Sequence, residues 1–498
     1  MSGSPVIVSG GKCLKHERTQ FVGLIGCQPA VFVALLLALM QPAAGAELPE
    51  PIQRVLDSLD IPAEDVSILV RQVGAEDALL SHLPDVPRNP ASVMKLVTTW
   101  SALELLGPAY TWPTELYFSG DFDGRRLQGD LAIKGYGDPF LVVEEFWKLL
   151  RVLRRLGLRE IDGDLLIDDS FFAVPYEDPG AFDGQPYRTY NVAPNALLTN
   201  FKAVQFFFLA DPGNNRVLVT VDPDLPNLEV RNRLVLGSGP CRGYQAGISF
   251  NIADPESASR VVFEGEFPAA CNSYSMTRTV LDHDAYLYGL FRSLWSELGG
   301  SISGRLRNED VPDDADRIYT RYSSPLGEII RSINKNSNNV MTRQLLLTLG
   351  AEHREQPGTE TDGTAVIADF LRAEGLHDGS LNMANGAGLS REARVSANML
   401  VGMLEAAAKS AYAPEFLASL SIAGLDGTTR GRFDESSGNG VMHVKTGRLD
   451  HVSALAGFAH GDDERTYVLA ILMNTPEAHR GLGQELEEAV TRWLNTQF

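Results

Sequence analysis

The sequence is short of basic residues, and this shortage excludes some partners. Lysine and arginine total 43 against 64 aspartate and glutamate residues, which gives a net charge of −21 at neutral pH. This excess of negative charge excludes binding to nucleic acid or to anionic lipid by simple electrostatics. Hydrophobic residues make up 44% of the 498 positions, which is enough for more than one core. We therefore expect a globular protein of several domains, without a nucleic-acid partner.

Long apolar runs are also scarce. Three basic residues precede the apolar run 31–40, and the small-residue site Ala44-Gly45-Ala46 follows it. This pattern is typical of a secretory signal peptide, here residues 1–46, cleaved near Ala46. A retained membrane anchor is the alternative, but ten apolar residues are short for a bilayer. A lipoprotein signal ending at Cys27 is a second alternative, although its apolar run should precede the cysteine.

Cysteine is the third scarce residue, with four in the chain. Removal of residues 1–46 leaves Cys241 and Cys271, together with 40 basic and 63 acidic residues and a net charge of −23. An even pair in an exported chain favours one disulfide bond, and two unpaired buried thiols are the alternative. No histidine or cysteine lies at ligand spacing beside them, so we expect no metal and no cofactor.

The order of predicted elements indicates an α+β fold. A strand is predicted at 66–73 and a helix from Ser92 to Leu106, ended by Gly107-Pro108. Helical patterns resume at Ser324, and three antiparallel strands and a helix from about Gly481 close the chain. We expect the strand before Ser92 and the closing strands to share one sheet.

The middle of the chain has a different texture. Short β-like runs separated by Gly, Pro and Asp fill residues 112–310, interrupted by an amphipathic helix near Glu144 to Leu156. We interpret this region as inserted domains in a discontinuous parent domain. The predicted division is listed in chain order: parent domain 47–111 and 311–498; first insert 112–190 with 275–310; second insert 191–274.

Ser92 and Lys95 form the first candidate catalytic pair. Their spacing places hydroxyl and amine on one helix face. Apolar neighbours and the positive helix end favour a neutral amine, which can take the proton of Ser92. The motif Ser-x-x-Lys also occurs at Ser9/Lys12 and Ser332/Lys335. Taken alone, the pair is as consistent with a surface serine beside a lysine whose stem lies on apolar surface.

Two further motifs are candidates. Lys445-Thr446-Gly447 lies on a predicted strand, where the cation and the hydroxyl suit a carboxylate and Gly447 allows close approach of a substrate backbone; an ordinary surface strand is the alternative. The pattern Ser-x-Asn is much less specific, since it occurs at Ser249, Ser332, Ser337, Ser380, Ser396 and Ser437. Ser337 falls at the junction of two predicted helices.

In order, Ser92-Val93-Met94-Lys95, Ser337-Asn338-Asn339 and Lys445-Thr446-Gly447 resemble the three motifs of penicillin-recognising serine acyl enzymes. The 245 residues between Ser92 and Ser337 are too many for an uninterrupted β-lactamase-type core. The chain after the signal resembles the penicillin-binding protein 4 family, the class C low-molecular-mass D-alanyl-D-alanine carboxypeptidase/endopeptidases, whose extra domains follow the first motif. The stretches "GYGDP", "GDLLIDDSFF", "GAGLSR" and "IAGLDGTTRGR" agree with it. This resemblance also selects Ser337 among the Ser-x-Asn matches.

The resemblance implies a transpeptidase-like domain, with an antiparallel sheet and a helical part, that forms an acyl-enzyme on Ser92. Lys95 would act as base, and Ser337 and Lys445 would pass a proton to the leaving amine. The substrate-binding residues that it implies are Asn339, Thr446, Gly447, Arg448, Asp168, Arg391 and Leu449. Among these, Asp168 would hold the amine of a diaminopimelate side chain. Arg448 is a departure, because relatives usually have threonine there.

The implied substrates are stem peptides of peptidoglycan, with β-lactams as covalent inhibitors. The implied location is the periplasm, with peripheral association with the envelope as a further expectation. A non-catalytic cell-wall binding protein and an esterase or β-lactamase on the same fold are the alternatives. The intact catalytic residues argue against a pure binder. The sequence does not indicate an oligomeric state.

Overall fold

The computed structural model describes residues 48–354, 356–438 and 440–497. The predicted signal peptide, residues 1–46, lies outside these ranges. Within them, no helix combines the length and the hydropathy that crossing a bilayer requires.

The described residues form strands and helices in the following order along the chain. The strands are β1 Val66–Gln72, β2 Ala78–His82, β3 Pro113–Phe122, β4 Arg126–Gly135, β5 Glu160–Ile161, β6 Leu165–Asp168, β7 Ala203–Asp211, β8 Arg216–Asp222, β9 Glu229–Gly237, β10 Ile248–Ile252, β11 Arg260–Pro268, β12 Ser273–Thr279, β13 Ser301–Ile302, β14 Leu306–Asn308, β15 Asp316–Tyr322, β16 Ser421–Ile422, β17 Met442–Leu449, β18 Val452–His460 and β19 Thr466–Asn474. The α-helices are Glu50–Ser58, Met94–Leu106, Val143–Arg155, His283–Glu297, Leu326–Asn336, Asn339–His353, Glu360–Ala373, Ala397–Lys409, Ala413–Ser419 and Leu482–Asn495.

A six-stranded antiparallel sheet organises the two ends of the chain. Its strand order is β16-β17-β18-β19-β1-β2, so the last long strand, β19, lies between β18 and the first strand. The prediction that the strand before Ser92 shares a sheet with the closing strands is therefore confirmed.

Both faces of this sheet are covered. Since successive side chains of a strand point to opposite faces, Val468, Ala470 and Leu472 of β19 join the core beneath the helix Met94–Leu106. The alternate residues Leu469 and Ile471 pack instead against the first and last helices of the described chain. This double burial explains why β18 and β19 are apolar along nearly their whole length.

The helix Met94–Leu106 is buried all round. All of its residues from Met94 to Leu103 are buried, Lys95 included. A helix with no exposed face has to lie inside the domain, and this one packs among the sheet and several helices. It fixes the position of the residues at its start, including Lys95.

The middle of the chain forms separate sheets around a second core. One sheet has the order β13-β5-β4-β3-β15 with β6 and β14 attached, and two three-stranded sheets have the orders β12-β7-β8 and β10-β11-β9. The helix Val143–Arg155 turns Phe146, Leu149, Leu150 and Leu153 to this core, which is the spacing of an amphipathic helix.

Two details bear on the predicted inserts. Strand β15, Asp316–Tyr322, pairs with β3, Pro113–Phe122. This pairing favours an end of the insert near residue 322, later than the predicted 310, and we propose that boundary. Cys241 and Cys271 form a disulfide bond in the structure.

Candidate active site

Ser92 lies in a 3-10 turn, Ala91–Val93, directly before the buried helix. Ala91 has a positive φ of 45°, a conformation that few residues other than glycine adopt. Asn89 holds this turn, because its Oδ1 accepts from Ala91 N at 2.9 Å. Its backbone is bound in turn to the end of β19: Asn89 N donates to Asn474 Oδ1 at 2.7 Å, and Asn474 Nδ2 donates to Asn89 O at 3.0 Å.

Lys95 lies one turn further and is wholly buried. Its Nζ lies 3.0 Å from Ser92 Oγ, 2.6 Å from Asn339 Oδ1 and 2.5 Å from Ala387 O. Burial lowers the pKa of Lys95 well below its usual value, and the charge of Lys445 lowers it further.

These three contacts match the valence of a neutral amine. In the neutral form that its lowered pKa favours, the amine has two N–H groups, which can donate to Asn339 Oδ1 and Ala387 O, and one lone pair, which is then left for the hydroxyl of Ser92. Proton transfer from Ser92 to Lys95 then needs no rearrangement. The prediction from sequence relied on desolvation by neighbouring side chains; the structure adds the two oxygens that orient the lone pair.

Ser337 and Lys445 form a second serine and lysine pair. Ser337 follows the helix Leu326–Asn336 with a positive φ of 54°, and the side chain of Asn338 caps the next helix by accepting from Met341 N. Lys445 on β17 is wholly buried, and its Nζ donates to Ser337 Oγ at 3.0 Å and to Thr446 O at 2.7 Å. Burial lowers the pKa of Lys445 to about 7.

Gly447 brings β17 against the turn that carries Ser92. A Cβ at this position would lie 2.3 Å from Pro90 O and 3.2 Å from the Cβ of Ala91. Close approach of a substrate backbone at Gly447 stays a prediction; the structure adds that the protein's own turn lies on the Cβ side of this glycine. Gly447 also lines the cavity beside Ser92.

Two adjoining cavities share Ser92, Ser337, Arg448 and His479 in their walls. The strand-side cavity, about 260 Å³, also contains Thr446, Thr428 and Arg432. The loop-side cavity, about 370 Å³, also contains Asn339, Leu449, Phe182, Asp183 and Tyr190. Together they form one cleft with Ser92 between its halves.

The stretch "GAGLSR" packs against the Ser92 turn. Gly388 has a φ of +76°, and a Cβ there would lie 1.8 Å from Ala91 O. Asn385 stabilises the stretch, since its Oδ1 accepts from Ala387 N at 3.1 Å and its Nδ2 donates to Leu389 O at 3.0 Å. Ala387 uses only its carbonyl toward Lys95, so the small side chain there leaves that contact intact.

Arg391 lies at the rim of the cleft. Its guanidinium donates to Asp450 Oδ2 at 3.1 Å and lies 4.9 Å from the ring centroid of Phe182. Both of these neighbours line the loop-side cavity, as does the predicted binding residue Leu449. Arg391 itself lines a separate cavity of about 430 Å³ that also includes Leu449.

Asp168 is placed differently from its prediction. Its side chain is wholly buried, and it accepts from Lys134 Nζ at 2.8 Å, Ser170 Oγ at 2.6 Å and Val311 N at 3.0 Å. Burial opposes its ionisation, but these hydrogen bonds outweigh burial and lower the pKa of Asp168. The geometry does not support a contact between Asp168 and substrate, because its carboxylate is already used inside the insert.

Several residues of the cleft were missed from sequence. Thr428 Oγ1 lies 2.7 Å from Thr446 Oγ1, and Arg432 donates to the buried Glu487 Oε2 at 2.6 Å. Both belong to "IAGLDGTTRGR", a stretch that agrees with the family resemblance but for which the sequence predicts no role. Tyr190, whose carbonyl accepts from Asn339 Nδ2 at 3.2 Å, and His479 carry no local signal, since only the fold brings them to Ser92.

The part of the chain that the structure describes contains no group of three or more His, Cys, Asp or Glu side chains placed to hold a metal ion.

Comparison with known proteins points in the same direction as the geometry. The D-alanyl-D-alanine carboxypeptidase of an Actinomadura species is 29% identical over 461 residues, which cover 88% of this chain and 82% of that protein. The crystal structure of penicillin binding protein 4 from Haemophilus influenzae, also solved with a bound β-lactam, matches with a TM-score of 0.74 at 21% identity and covers 90% of this chain and 100% of its own. A predatory peptidoglycan endopeptidase from Bdellovibrio bacteriovorus matches with a TM-score of 0.52 at 16% identity and covers 86% of this chain and 92% of its own.

The structural likenesses confirm the predicted penicillin-binding α+β fold with its inserts. The model of the D-Ala-D-Ala carboxypeptidase 3 (S13) family matches residues 48–497, nearly the whole described chain. The chain therefore belongs to the D-Ala-D-Ala carboxypeptidase 3 (S13) family.

Proposed function

We propose that the protein is a serine DD-peptidase that removes the terminal D-Ala from peptidoglycan stem peptides through an acyl-enzyme on Ser92. The observation that carries this proposal is the buried Lys95, whose Nζ lies 3.0 Å from Ser92 Oγ at the wall of an open cleft. A lysine wholly enclosed in this way is costly for stability, and nucleophile activation is a chemical use for it.

In acylation, Ser92 Oγ attacks the carbonyl of the penultimate D-Ala while Lys95 takes its proton. The carbonyl oxygen becomes an oxyanion that the backbone N–H groups of Ser92 and Arg448 hold. Both residues line the two halves of the cleft, which is the position that this role requires.

The leaving amine then needs a proton. Ser337 gives its hydroxyl proton to the amine nitrogen and regains one from Lys445, 3.0 Å away. The C–N bond breaks, D-Ala leaves, and the acyl group stays on Ser92 as an ester. Lys95 then gives up the proton that it took from Ser92, and Lys445 regains one. Water attacks the ester while neutral Lys95 takes a proton from it and passes that proton to Ser92 Oγ. The acyl C–O bond breaks, the peptide leaves with a new terminal carboxyl group, and Ser92 is freed.

We place the two sides of the proposed substrate in the two halves of the cleft. The terminal carboxylate lies in the strand-side cavity, where Thr446, Thr428 and the cationic Arg448 line the wall. The acyl side lies in the loop-side cavity, where Asn339 holds a substrate amide and Leu449 contacts the peptide. Arg448 lines both halves. It carries a cation at the position where relatives usually carry the smaller hydroxyl of threonine.

We also propose cleavage of D-Ala–diaminopimelate crosslinks. The cleft is open on both sides of Ser92, so a leaving group larger than D-Ala can be accommodated. The endopeptidase among the proteins of similar fold is consistent with this activity. A β-lactam, which presents a strained amide and a carboxylate, would acylate Ser92 in the same way.

The proposed site of action is the periplasm, where peptidoglycan lies. Its support is the sequence of residues 1–46, which has the charge, apolar run and small-residue site of a cleaved signal.

The test uses a fluorescent penicillin and a matched serine. We expect the wild-type protein to be labelled and Ser92→Ala to be unlabelled. Ser332→Ala is the control, since Ser332 precedes a lysine at the same spacing but Lys335 binds Asp426 Oδ2 at 2.5 Å instead. It should label like wild type. Persistent labelling of Ser92→Ala would exclude the nucleophile.

Activity is tested on purified sacculi, with released fragments identified by mass. Wild type should release D-Ala and convert crosslinked dimers to monomers. Lys95→Arg, which cannot accept the proton, should lower acylation by about 10²- to 10⁴-fold. Labelling without release of D-Ala or monomers would instead indicate an esterase or β-lactamase.

A further inference from the structure

A third cavity lies in the insert, away from Ser92. It has a volume of about 540 Å³ and forms where the loop 184–188 meets β10 and β12. We call it the arginine cavity, because Arg188 and Arg278 stand in its wall. Thr279 N donates to Tyr187 O at 3.0 Å, which fixes the loop against the strand that carries Arg278.

Neither arginine is held in a direct ion pair. In the part of the chain that the structure describes, no carboxylate forms an ion pair with Arg188 or Arg278. Arg278 donates to the adjacent Thr277 O at 2.8 Å, and its guanidinium lies 5.5 Å from the ring centroid of Phe250. Burial lowers the pKa of Arg278, and the charge of Arg188 lowers it further, so the two cations repel each other.

The acidic side chains near this loop accept hydrogen bonds from other groups, although the charge of Arg188 also acts on Asp183. Asp183 accepts from Tyr190 Oη at 2.7 Å, from Asn191 Nδ2 at 2.9 Å and from Gln185 N at 3.0 Å. Asp254 accepts from the hydroxyls of Ser257 and Ser259 and from Arg260 N. In a protein with a net charge of −21, the exposed Arg188 and the half-buried Arg278 therefore place two cations beside one cavity without a carboxylate at ion-pairing distance.

The other walls suit the aliphatic part of a ligand. The rings of Tyr187 and Phe250 meet edge to face with centroids 5.6 Å apart, and Tyr274 and Met276 complete this side. The cavity therefore combines two cations with an apolar surface, which matches a carboxylate on a short hydrocarbon stem.

The arginine cavity and the catalytic cleft are formed by one loop. Phe182 and Asp183 line the loop-side cavity, residues 184–188 line the arginine cavity, and Tyr190 returns to the cleft, where its carbonyl accepts from Asn339. Arg188 lies two residues from Tyr190, a separation of at most about 7 Å along the chain. Under the proposed function, the acyl side of the peptide lies in the loop-side cavity, whose wall this loop helps to form.

We propose that the arginine cavity is an anion subsite that binds a carboxylate of the peptidoglycan peptide remote from the bond cut at Ser92. This inference rests on the proposed function for the identity of its ligand. The subsite would favour peptides with free carboxylates over amidated peptides, because an amide gives no charge to the two guanidinium groups.

The test separates binding from turnover. In the Ser92→Ala background, the Kd of a soluble crosslinked muropeptide is measured by calorimetry for Arg188→Gln with Arg278→Gln, and for the control Arg305→Gln. Arg305 is an exposed arginine of the same insert outside the arginine cavity. We expect the Kd of the double variant to rise at least about tenfold and that of the control to stay unchanged. The same muropeptide, amidated at its other carboxylates but with the terminal D-Ala carboxylate left free, should bind the arginine-containing protein as weakly as the acidic form binds the double variant.

Two outcomes overturn the inference. One is a Kd of the double variant within twofold of the control, and the other is equal binding of the acidic and the amidated muropeptide. Acylation by a small penicillin, measured with Ser92 present, should be unchanged in the double variant, which shows that the fold is intact. If the protein with Ser92 neither reacts with penicillin nor releases D-Ala, the proposed function fails, and the binding result still decides the subsite.

Discussion

Replacement of Gly447 by alanine tests whether the position of Ser92 depends on contact between β17 and its turn. The added Cβ would lie 2.3 Å from Pro90 O, whereas ordinary contact begins at 3.4 Å. Relief of the clash requires a displacement of about 1 Å. The Cβ atoms of Ala91 and Ala454, each 3.2 Å away, hinder a sideways escape. The turn of Ser92 or the strand of Lys445 therefore has to move.

We expect Gly447→Ala to lower both the free energy of unfolding and the rate of acylation. Overpacking of this kind costs about 1–3 kcal/mol of unfolding free energy. A displacement of about 1 Å between nucleophile and partners costs about 10²-fold in rate. We expect Gly447→Ala to fold with a lowered Tm and to react with fluorescent penicillin about 100-fold more slowly than wild type.

The matched control is Gly239→Ala. A Cβ at Gly239 would have no atom within 4 Å, and the φ of Gly239 lies outside the left-handed region. The same chemical change should therefore leave the Tm and the acylation rate unchanged. Acylation rates are measured by stopped reactions on a gel, and Tm by calorimetry. A Gly447→Ala protein that reacts at the wild-type rate would refute the claim that this contact sets the position of Ser92.

Three further predictions concern charge and stability. Because the pKa of Lys445 is about 7 and its protonated form resupplies the leaving-group proton, D-Ala release should fall as pH rises above about 7, and a rate that is flat from about pH 6 to 9 would contradict this role. Asp168→Asn removes the negative charge that pairs with Lys134, so it should lower the unfolding free energy by about 1–3 kcal/mol. The KM for a diaminopimelate substrate should not change. A raised KM without loss of stability would indicate that Asp168 contacts the substrate after all. Gly402 lies within the helix Ala397–Lys409, and a Cβ at this position would make an ordinary contact of 3.4 Å with Leu376. Gly402→Ala should therefore raise the free energy of unfolding, measured in urea, by about 0.5–1 kcal/mol. A lowered free energy of unfolding would indicate a packing conflict there.

Local patterns predicted the elements that carry the three motifs. The apolar helix after Ser92 and the closing strands with Lys445 have periodicities that need no knowledge of the rest of the chain. The order of motifs and their spacing also predicted the pairing of Ser92 with Lys95, since i and i+3 meet on any helix. These features depend on interactions between near neighbours in the sequence.

Other features depend on distant contacts and escaped prediction. The space at Gly447 is used by Pro90, which lies far away in sequence. Asp168 sits at the end of a strand where a carboxylate can face either a cleft or a core, and the position of Lys134 on the neighbouring strand decides it. The contribution of the loop at Tyr190 to the cleft follows from how the insert packs on the helix Asn339–His353, which no periodicity records.

The reciprocal hydrogen bonds between Asn89 and Asn474 join positions 385 residues apart. The ribosome synthesises Ser92 early, whereas β19, which fixes the turn of Ser92, is among the last segments to be synthesised. A nascent chain lacking β18 and β19 contains Ser92 and Lys95 but not the support for their geometry. Covalent labelling of Ser92 by a β-lactam would therefore show that the two ends of the chain have paired. The time course of labelling during refolding would measure how fast the whole protein folds.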